Sequence, residues 1–356
     1  MKKAIIAMDI SSTRRGGPYV STMNLIHSNL RNYFDFRTIE YKTYLGRGIN
    51  LKRILDLRKQ IREINPTIIL CTGLQISGFN VMLAALSCSI KHRIIVLHGS
   101  SLEANNFSLW KKIIMYFIEY LTLWMSTAYY GVSKYSSTLS ATKFFKRKSK
   151  GYIYNIPSLK SPEHQVSKES LGFSHNDIVI ASSGRITEEK GFKILQEVIH
   201  SIKSPHIKFL IIGDGEYLST MKSALEEEIK QKKVVFTGYR SDVIELLNCV
   251  DIFVLATLHE TLSVSLLEAG YCSIPLIATR VGGIPEIIDD GYNGFLIPLG
   301  DVEGFINAIE KLSSQDSIRQ EMGKNARISV TTKFSQEKLE QQVMNVLINE
   351  LNKNKS

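Results

Sequence analysis

The amino-acid sequence predicts an α/β protein of two domains, each a parallel sheet with helices on both faces. Three observations predict it. Short apolar runs alternate with amphipathic helical segments along nearly the whole chain, the pattern of strand–helix–strand crossovers. The polar stretch NIPSLKSPEHQVSKES (155–170), with two prolines and no apolar period, separates two such series. The formal charge reverses at the same place. Residues 1–170 carry 25 Lys and Arg against 9 Asp and Glu, a net of +16, whereas residues 171–356 carry 19 against 25, a net of −6. The 356 residues exceed one ordinary core and suit two. The expected division is 1–160, 161–335 and a C-terminal helix within 336–356, for which the N-terminal domain is one packing partner.

Taken in order, the first strand is Ala4–Met8. Its five apolar residues after a basic flank are too few for the core of a signal peptide. Strands follow at Thr67–Cys71 and Arg93–Leu97. The longest apolar stretch, Ile113–Tyr130, is interrupted by Glu119, Thr122, Ser126 and Thr127. A membrane span needs roughly 20 mainly apolar residues, so this stretch reads as a helix followed by a strand, Ala128–Val132. The second series has strands at Ile178–Ser182, Lys208–Ile212, Val234–Thr237, Ile252–Ala256 and Pro275–Ala278, and Gln336–Leu351 reads as a surface helix before a polar tail. A composition of 44% apolar and 22% charged residues excludes a disordered or collagen-like chain. Cys71, Cys88, Cys249 and Cys272 form no C-x-x-C pair, which argues against a structural zinc site and a disulfide framework.

Parallel sheets bind ligands beyond the carboxyl ends of their strands, and the chemistry-bearing motifs stand there. The first strand runs into SSTRRGGP (11–18), where Gly16 and Gly17 allow close backbone approach to a ligand and the next helix offers free N–H groups. This is not the G-x-G-x-x-G dinucleotide fingerprint, and a flexible turn is the plain alternative. His98 ends the strand RIIVL; its imidazole suits a substrate hydroxyl, or simply loop carbonyls. In GRITEEKG (184–191), Arg185 and Lys190 between two glycines suit a diphosphate, with an ordinary surface ion-pair loop as the competitor. The segment 251–279 carries Glu260 in a loop and Glu268 on the following helix. A carboxylate receives a ribose diol well, and the N–H groups near Leu262, Ser263 and Val264 face where a phosphate would sit. Glu268 lies between Leu267 and Ala269, and a carboxylate so placed needs a partner.

The Glu260/Glu268 pair, GRITEEKG, IGDGE (212–216), FTGYRSD (236–242), GGIPEII (282–288) and DGYNGFLIP (290–298) occur in one order. With them the chain resembles the retaining, nucleotide-sugar-dependent glycosyltransferases of family 4. The resemblance spans essentially the whole chain, strongest over 178–335. It implies the GT-B fold: two Rossmann-like parallel-sheet domains facing a cleft. It further implies that Arg185 and Lys190 bind the donor diphosphate with the Leu262–Val264 amides, and that Glu268 holds the ribose. Glu260 would contact the sugar, Gly16 and Gly17 would close over the phosphates, and His98 would touch the donor sugar. One departure is Thr261, where the family usually has Gly. The implied reaction is front-face transfer from a UDP-hexose, or alternatively from GDP-mannose, to an acceptor hydroxyl. No cofactor is implied. With no D-x-D in the sequence, a bridging metal is not required.

Rivals are a nucleotide-sugar epimerase or a phosphorylase of the same fold, and a basic nucleic-acid module using KFFKRKSK (143–150). No nucleic-acid motif accompanies that run, and nucleic acid is not expected as a partner. An anionic membrane surface accounts for the basic half better. The candidates for attachment are Trp110 with Lys111–Lys112, and Phe144–Phe145 before Lys146, Arg147 and Lys148; solvated lysines on a packed core are the alternative. A lipid-linked saccharide acceptor then follows, in surface polysaccharide assembly on the inner face of the cell membrane.

Overall fold

The computed structural model describes residues 3–13, 16–45, 48–103, 108–157, 159, 162–164 and 166–353. Arg14 and Arg15 of the glycine loop, Ser158, Lys160, Ser161 and Gln165 of the expected linker, and the end of the polar tail lie outside them. The chain forms two compact units, Met1–Ile156 with Gln336–Ser356, and Pro157–Ser335.

The first unit contains strands β1 (Ala4–Ser11), β2 (Phe34–Tyr41), β3 (Ile68–Thr72), β4 (His92–Leu97), β5 (Ala128–Gly131) and β6 (Ser149–Tyr152). Its helices are α1 (Gly17–His27), α2 (Leu51–Ile64), α3 (Ile76–Ser87) and α4 (Leu109–Met125). The second has β7 (Ile178–Ser183), β8 (Ile207–Ile212), β9 (Val234–Gly238), β10 (Ile252–Leu255), β11 (Leu276–Thr279) and β12 (Gly294–Ile297). Its helices are α5 (Phe192–Ser201), α6 (Leu218–Ala224), α7 (Glu226–Lys230), α8 (Val243–Leu247), α9 (Val264–Tyr271), α10 (Val302–Ser314) and α11 (Asp316–Lys333). The last helix, α12 (Gln336–Asn352), belongs to the first unit.

All strand pairings are parallel, in the orders β2-β1-β3-β4-β5-β6 and β9-β8-β7-β10-β11-β12. Central strands such as Ile68–Cys71 and Phe209–Ile211 are fully buried, because helices cover both faces. That is the α/β fold class the sequence predicts. The reading omits β2, β6 and β12, and all three are sheet edges. Edge strands need no unbroken apolar run: β2 exposes Arg37 and Thr38, and β6 (SKGY) contains no buried residue. In β12, a Cβ on Gly294 would stand 2.0 Å from the Leu276 carbonyl oxygen, so glycine permits the pairing there.

Helix α2 is capped by Asn50, whose side chain accepts from the Arg53 N–H, and it stops at Asn65 in the left-handed region. Helix α12 is fixed to the first unit by Glu340. Its carboxylate accepts from the Asn29 backbone N–H (3.1 Å) and from Asn29 Nδ2 (3.2 Å).

Candidate functional site

In the second unit the strand order changes direction between β7 and β10, which are neighbours in the sheet although β8 and β9 lie between them in the chain. Ligands of open parallel sheets bind at such a switch point, where successive loops leave in opposite directions. The loop after β7 carries Arg185 and Lys190, and the loop after β10 carries Glu260 and the start of α9. The two loops touch. Gly191 has φ +74°, and a Cβ there would lie 1.8 Å from the Ala256 carbonyl oxygen, so only glycine lets the backbones meet. The Leu258 N–H donates to the Glu189 carbonyl at 2.9 Å, closing the contact. As a result Lys190 Nζ sits 2.9 Å from Glu260 Oε2, both side chains largely shielded from water.

The IGDGE turn forms the other wall of the β7 loop. Gly184 N–H donates to the Ile212 carbonyl and Ile186 N–H to the Asp214 carbonyl, both at 3.0 Å. Cβ atoms on Gly213 and Gly215 would lie 1.9 Å and 2.3 Å from the carbonyl oxygens of Gly184 and Ile186. Arg185 projects from this buttressed loop, exposed and without a side-chain partner among the described residues. GGIPEII supports the second loop: Gly283 N–H donates to the Glu260 carbonyl at 3.0 Å.

Helix α9 begins at Ser263, whose side chain accepts from the Leu266 N–H. Leu262 is buried beside it. The first-turn N–H groups from Val264 onward have no intrahelical acceptor and form the positive end of the helix. Thr261 is not in the left-handed region, so its backbone does not demand the glycine usual in the resembled family; its side chain is buried. Glu268 lies further along α9 with Leu267 and Ala269 buried on either side. Burial pushes its carboxyl up to about 7, and no donor among the described residues compensates.

In the first unit the switch point lies between β1 and β3. A cavity of about 270 Å³ opens over these strand ends, lined among others by Asp9, Pro18, Tyr19, Thr72, Gln75 and His98. His98 follows β4, half-buried, and desolvation lowers its pKa to about 4. It is therefore a neutral imidazole near pH 7, fit to donate or accept a hydrogen bond but not to act as a cation. Gly16 precedes α1 at φ +91°, a conformation that favours glycine, whereas Gly17 opens the helix in ordinary geometry; both face open space.

Asp9 is missed by the sequence reading, although an acid inside an otherwise apolar strand was its signal. Its carboxylate accepts from the Thr72 N–H (2.6 Å) and Thr72 Oγ1 (3.0 Å), yet burial outweighs these bonds and raises its pKa to about 6. The structure thus joins Lys190 to Glu260, and places His98 and Asp9 on one cavity; it shows no direct contact between Glu260 and Glu268. Among the described residues, no group of three His, Cys, Asp or Glu side chains is placed to hold a metal ion.

Residues 163–329 match the model of the family described as glycosyl transferases, group 1. A relative in Escherichia coli, UDP-Gal:alpha-D-GlcNAc-diphosphoundecaprenol alpha-1,3-galactosyltransferase, is 29% identical over 48% of this chain and 45% of its own length. The chain spans less than half the length of that protein and of the other first curated relatives it matches. The Staphylococcus aureus capsular polysaccharide biosynthesis glycosyltransferase CapM is 25% identical over 83% of both chains. Among solved structures, Anabaena Alr3699/HepE in complex with UDP and glucose superposes with a TM-score of 0.80 at 16% identity, covering 97% of this chain and 100% of that one. The fold is therefore that of the GT-B glycosyltransferases.

Proposed function

We propose that the protein is a retaining glycosyltransferase of family 4, transferring a hexose from a UDP-sugar to the hydroxyl of a lipid-linked saccharide during surface polysaccharide assembly. The observation that carries this reading is the β7/β10 switch point. There a cation–carboxylate pair, an exposed arginine, a helix N-terminus and a desolvated carboxyl meet the needs of a nucleoside diphosphate sugar in turn. Arg185 and Lys190 bind the diphosphate, with the amides at Leu262, Ser263 and Val264 adding oriented dipoles. Glu268 accepts the ribose hydroxyls, which supply the donors its carboxylate lacks. Lys190 holds Glu260 in place for the sugar, and the resemblance assigns His98, Gly16 and Gly17 to the donor as well.

In the reaction the anomeric C–O bond to the diphosphate breaks and a bond to the acceptor oxygen forms on the same face. The acceptor proton passes to the departing diphosphate. Catalysis is then mainly electrostatic: Arg185, Lys190 and the α9 amides meet charge as it develops, with no divalent metal required. Unchanged turnover with a chelator tests that point. The name of the E. coli relative, a diphosphoundecaprenol-linked acceptor, and that of CapM favour a lipid-linked acceptor and a polysaccharide product. The HepE complex with UDP and glucose favours uridine, with GDP-mannose as the second reading. The protein would work at the cytoplasmic face of a membrane; among the described residues no helix is long and apolar enough to cross one.

A thermal-shift screen across nucleoside diphosphates and nucleotide sugars tests the donor. A ligand at about 100 times its Kd adds about 2.7 kcal/mol to apparent stability. A uridine nucleotide should raise Tm, and a guanosine nucleotide acting alone would transfer the assignment to GDP-mannose. A flat response to every nucleotide would overturn the reading.

A further inference from the structure

Helix α4 is apolar on both faces. Met115, Ile118, Leu123 and Met125 are buried in the first unit, and buried Glu119 locks this side by accepting from Ser100 Oγ and the Ser101 N–H, each at 2.7 Å. The opposite side exposes Leu109, Trp110, Ile113, Ile114, Phe117, Leu121 and Trp124. At about 100° per residue these seven fall within an arc of about 140°. A solvated helix carries polar residues there. Both tryptophans of the chain stand on this arc, 77% and 59% exposed. Phe144, 65% exposed, extends it and is held against the helix by an edge-on contact with Tyr120 (ring centroids 5.8 Å apart).

The surroundings are basic. Residues 108–153 hold eight Lys and Arg and one acid, the buried Glu119. Lys111, Lys143, Lys146 and Arg147 are exposed. Two residues of the expected attachment segments have other work. Phe145 packs on the core, and Lys148 Nζ donates to the carbonyls of Leu123, Trp124 and Ser126, closing the C-terminal end of α4.

We infer that the exposed α4 face, with Phe144 and its basic surround, is a docking surface for an anionic lipid bilayer, with the helix lying in the interface plane. This names the surface for the membrane association proposed above and rests on that reading. Charge decides the occupant. A second copy docked face to face about a two-fold axis would set basic against basic, whereas anionic headgroups complement the lysines while acyl chains receive the tryptophans and Phe117. Trp110 and Trp124 lie toward opposite ends of the helix, so the whole arc reaches the headgroup level together.

The two tryptophans make the test label-free. Full-length protein is titrated with vesicles of phosphatidylcholine containing about a quarter phosphatidylglycerol, and tryptophan emission and co-sedimentation are followed. Emission should shift to the blue, and brominated acyl chains should quench it. Replacing Phe117 and Leu121 together by Glu should weaken binding at least about tenfold, and Lys146→Glu with Arg147→Glu should remove the preference for anionic vesicles. Circular dichroism and the nucleotide-induced rise in Tm, read on the same variants, report folding and the donor site separately. Failure of nucleotide binding with intact vesicle binding would therefore strike the proposed activity alone. Two results would overturn the docking surface: no blue shift on anionic vesicles, or a blue shift that follows protein concentration without vesicles and marks a dimer.

Discussion

If Glu268 receives ribose hydroxyls, nucleotide affinity must depend on pH with a definite sign and size. Its carboxyl is desolvated without compensation and titrates at about 7. A diol donates to the carboxylate form, so binding selects ionised protein. The ionised fraction rises from about one-tenth at about pH 6 to about nine-tenths at about pH 8, so affinity should tighten about tenfold, or about 1.4 kcal/mol. UDP-glucose suits the assay because its doubly esterified diphosphate does not titrate in this range. Isothermal titration in two buffers of unequal ionisation heat should show release of about half a proton near about pH 7. Glu268→Gln should abolish both the slope and the release, which separates Glu268 from Asp9, titrating at about 6. The free protein gives a second reading. A carboxyl pKa raised in the folded state costs stability above that pKa and restores it as pH falls through about 7, so Glu268→Gln should stabilise the unliganded protein by about 1–3 kcal/mol at about pH 8. Wild-type affinity that is flat across the range, with no proton released, would refute the ribose assignment.

Lys190→Ala should lower kcat/KM by about 10²–10³ while leaving circular dichroism unchanged; turnover close to wild type would remove Lys190 from the diphosphate site. Gly191 and Gly238 have nearly the same φ, +74° and +72°, but only a Cβ at Gly191 meets backbone. Urea denaturation should therefore show Gly191→Ala costing roughly 2–4 kcal/mol and Gly238→Ala about 1 kcal/mol. The His98 imidazole should titrate near 4 by NMR, and a midpoint at the ordinary value of 6.5 would contradict its desolvation. Glu119→Leu should cost about 2–4 kcal/mol by stranding its two serine donors.

Much of this arrangement is legible in the chain. Strands buried on both faces carry apolar runs, so β1, β3, β4, β5, β7, β8, β10 and β11 show in the sequence, as does the edge strand β9 through its Val-Val-Phe run. The edge strands β2 and β6 do not, because exposed residues interrupt their apolar pattern, and β12 does not, because it is only four residues long and opens on a glycine. The glycine motifs are equally legible as positions, but their reasons are tertiary. Gly191 is required by a carbonyl 65 residues away in the chain, at Ala256, and Gly213 by the carbonyl of Gly184.

The sequence by itself determined the α/β class, the charge reversal between the halves, and the residue types offered to a diphosphate and a ribose. These follow from local periodicity and composition, which act residue by residue. Only the tertiary structure decided that Lys190 pairs with Glu260, that Asp9 shares a cavity with His98, and that burial holds Glu268 near neutrality. It also decided that the helix expected within Ile113–Tyr130, α4, has one face in the core and the other bare. Pairing, desolvation and exposure depend on which distant segments arrive beside a residue, and strand order, not local sequence, sets that.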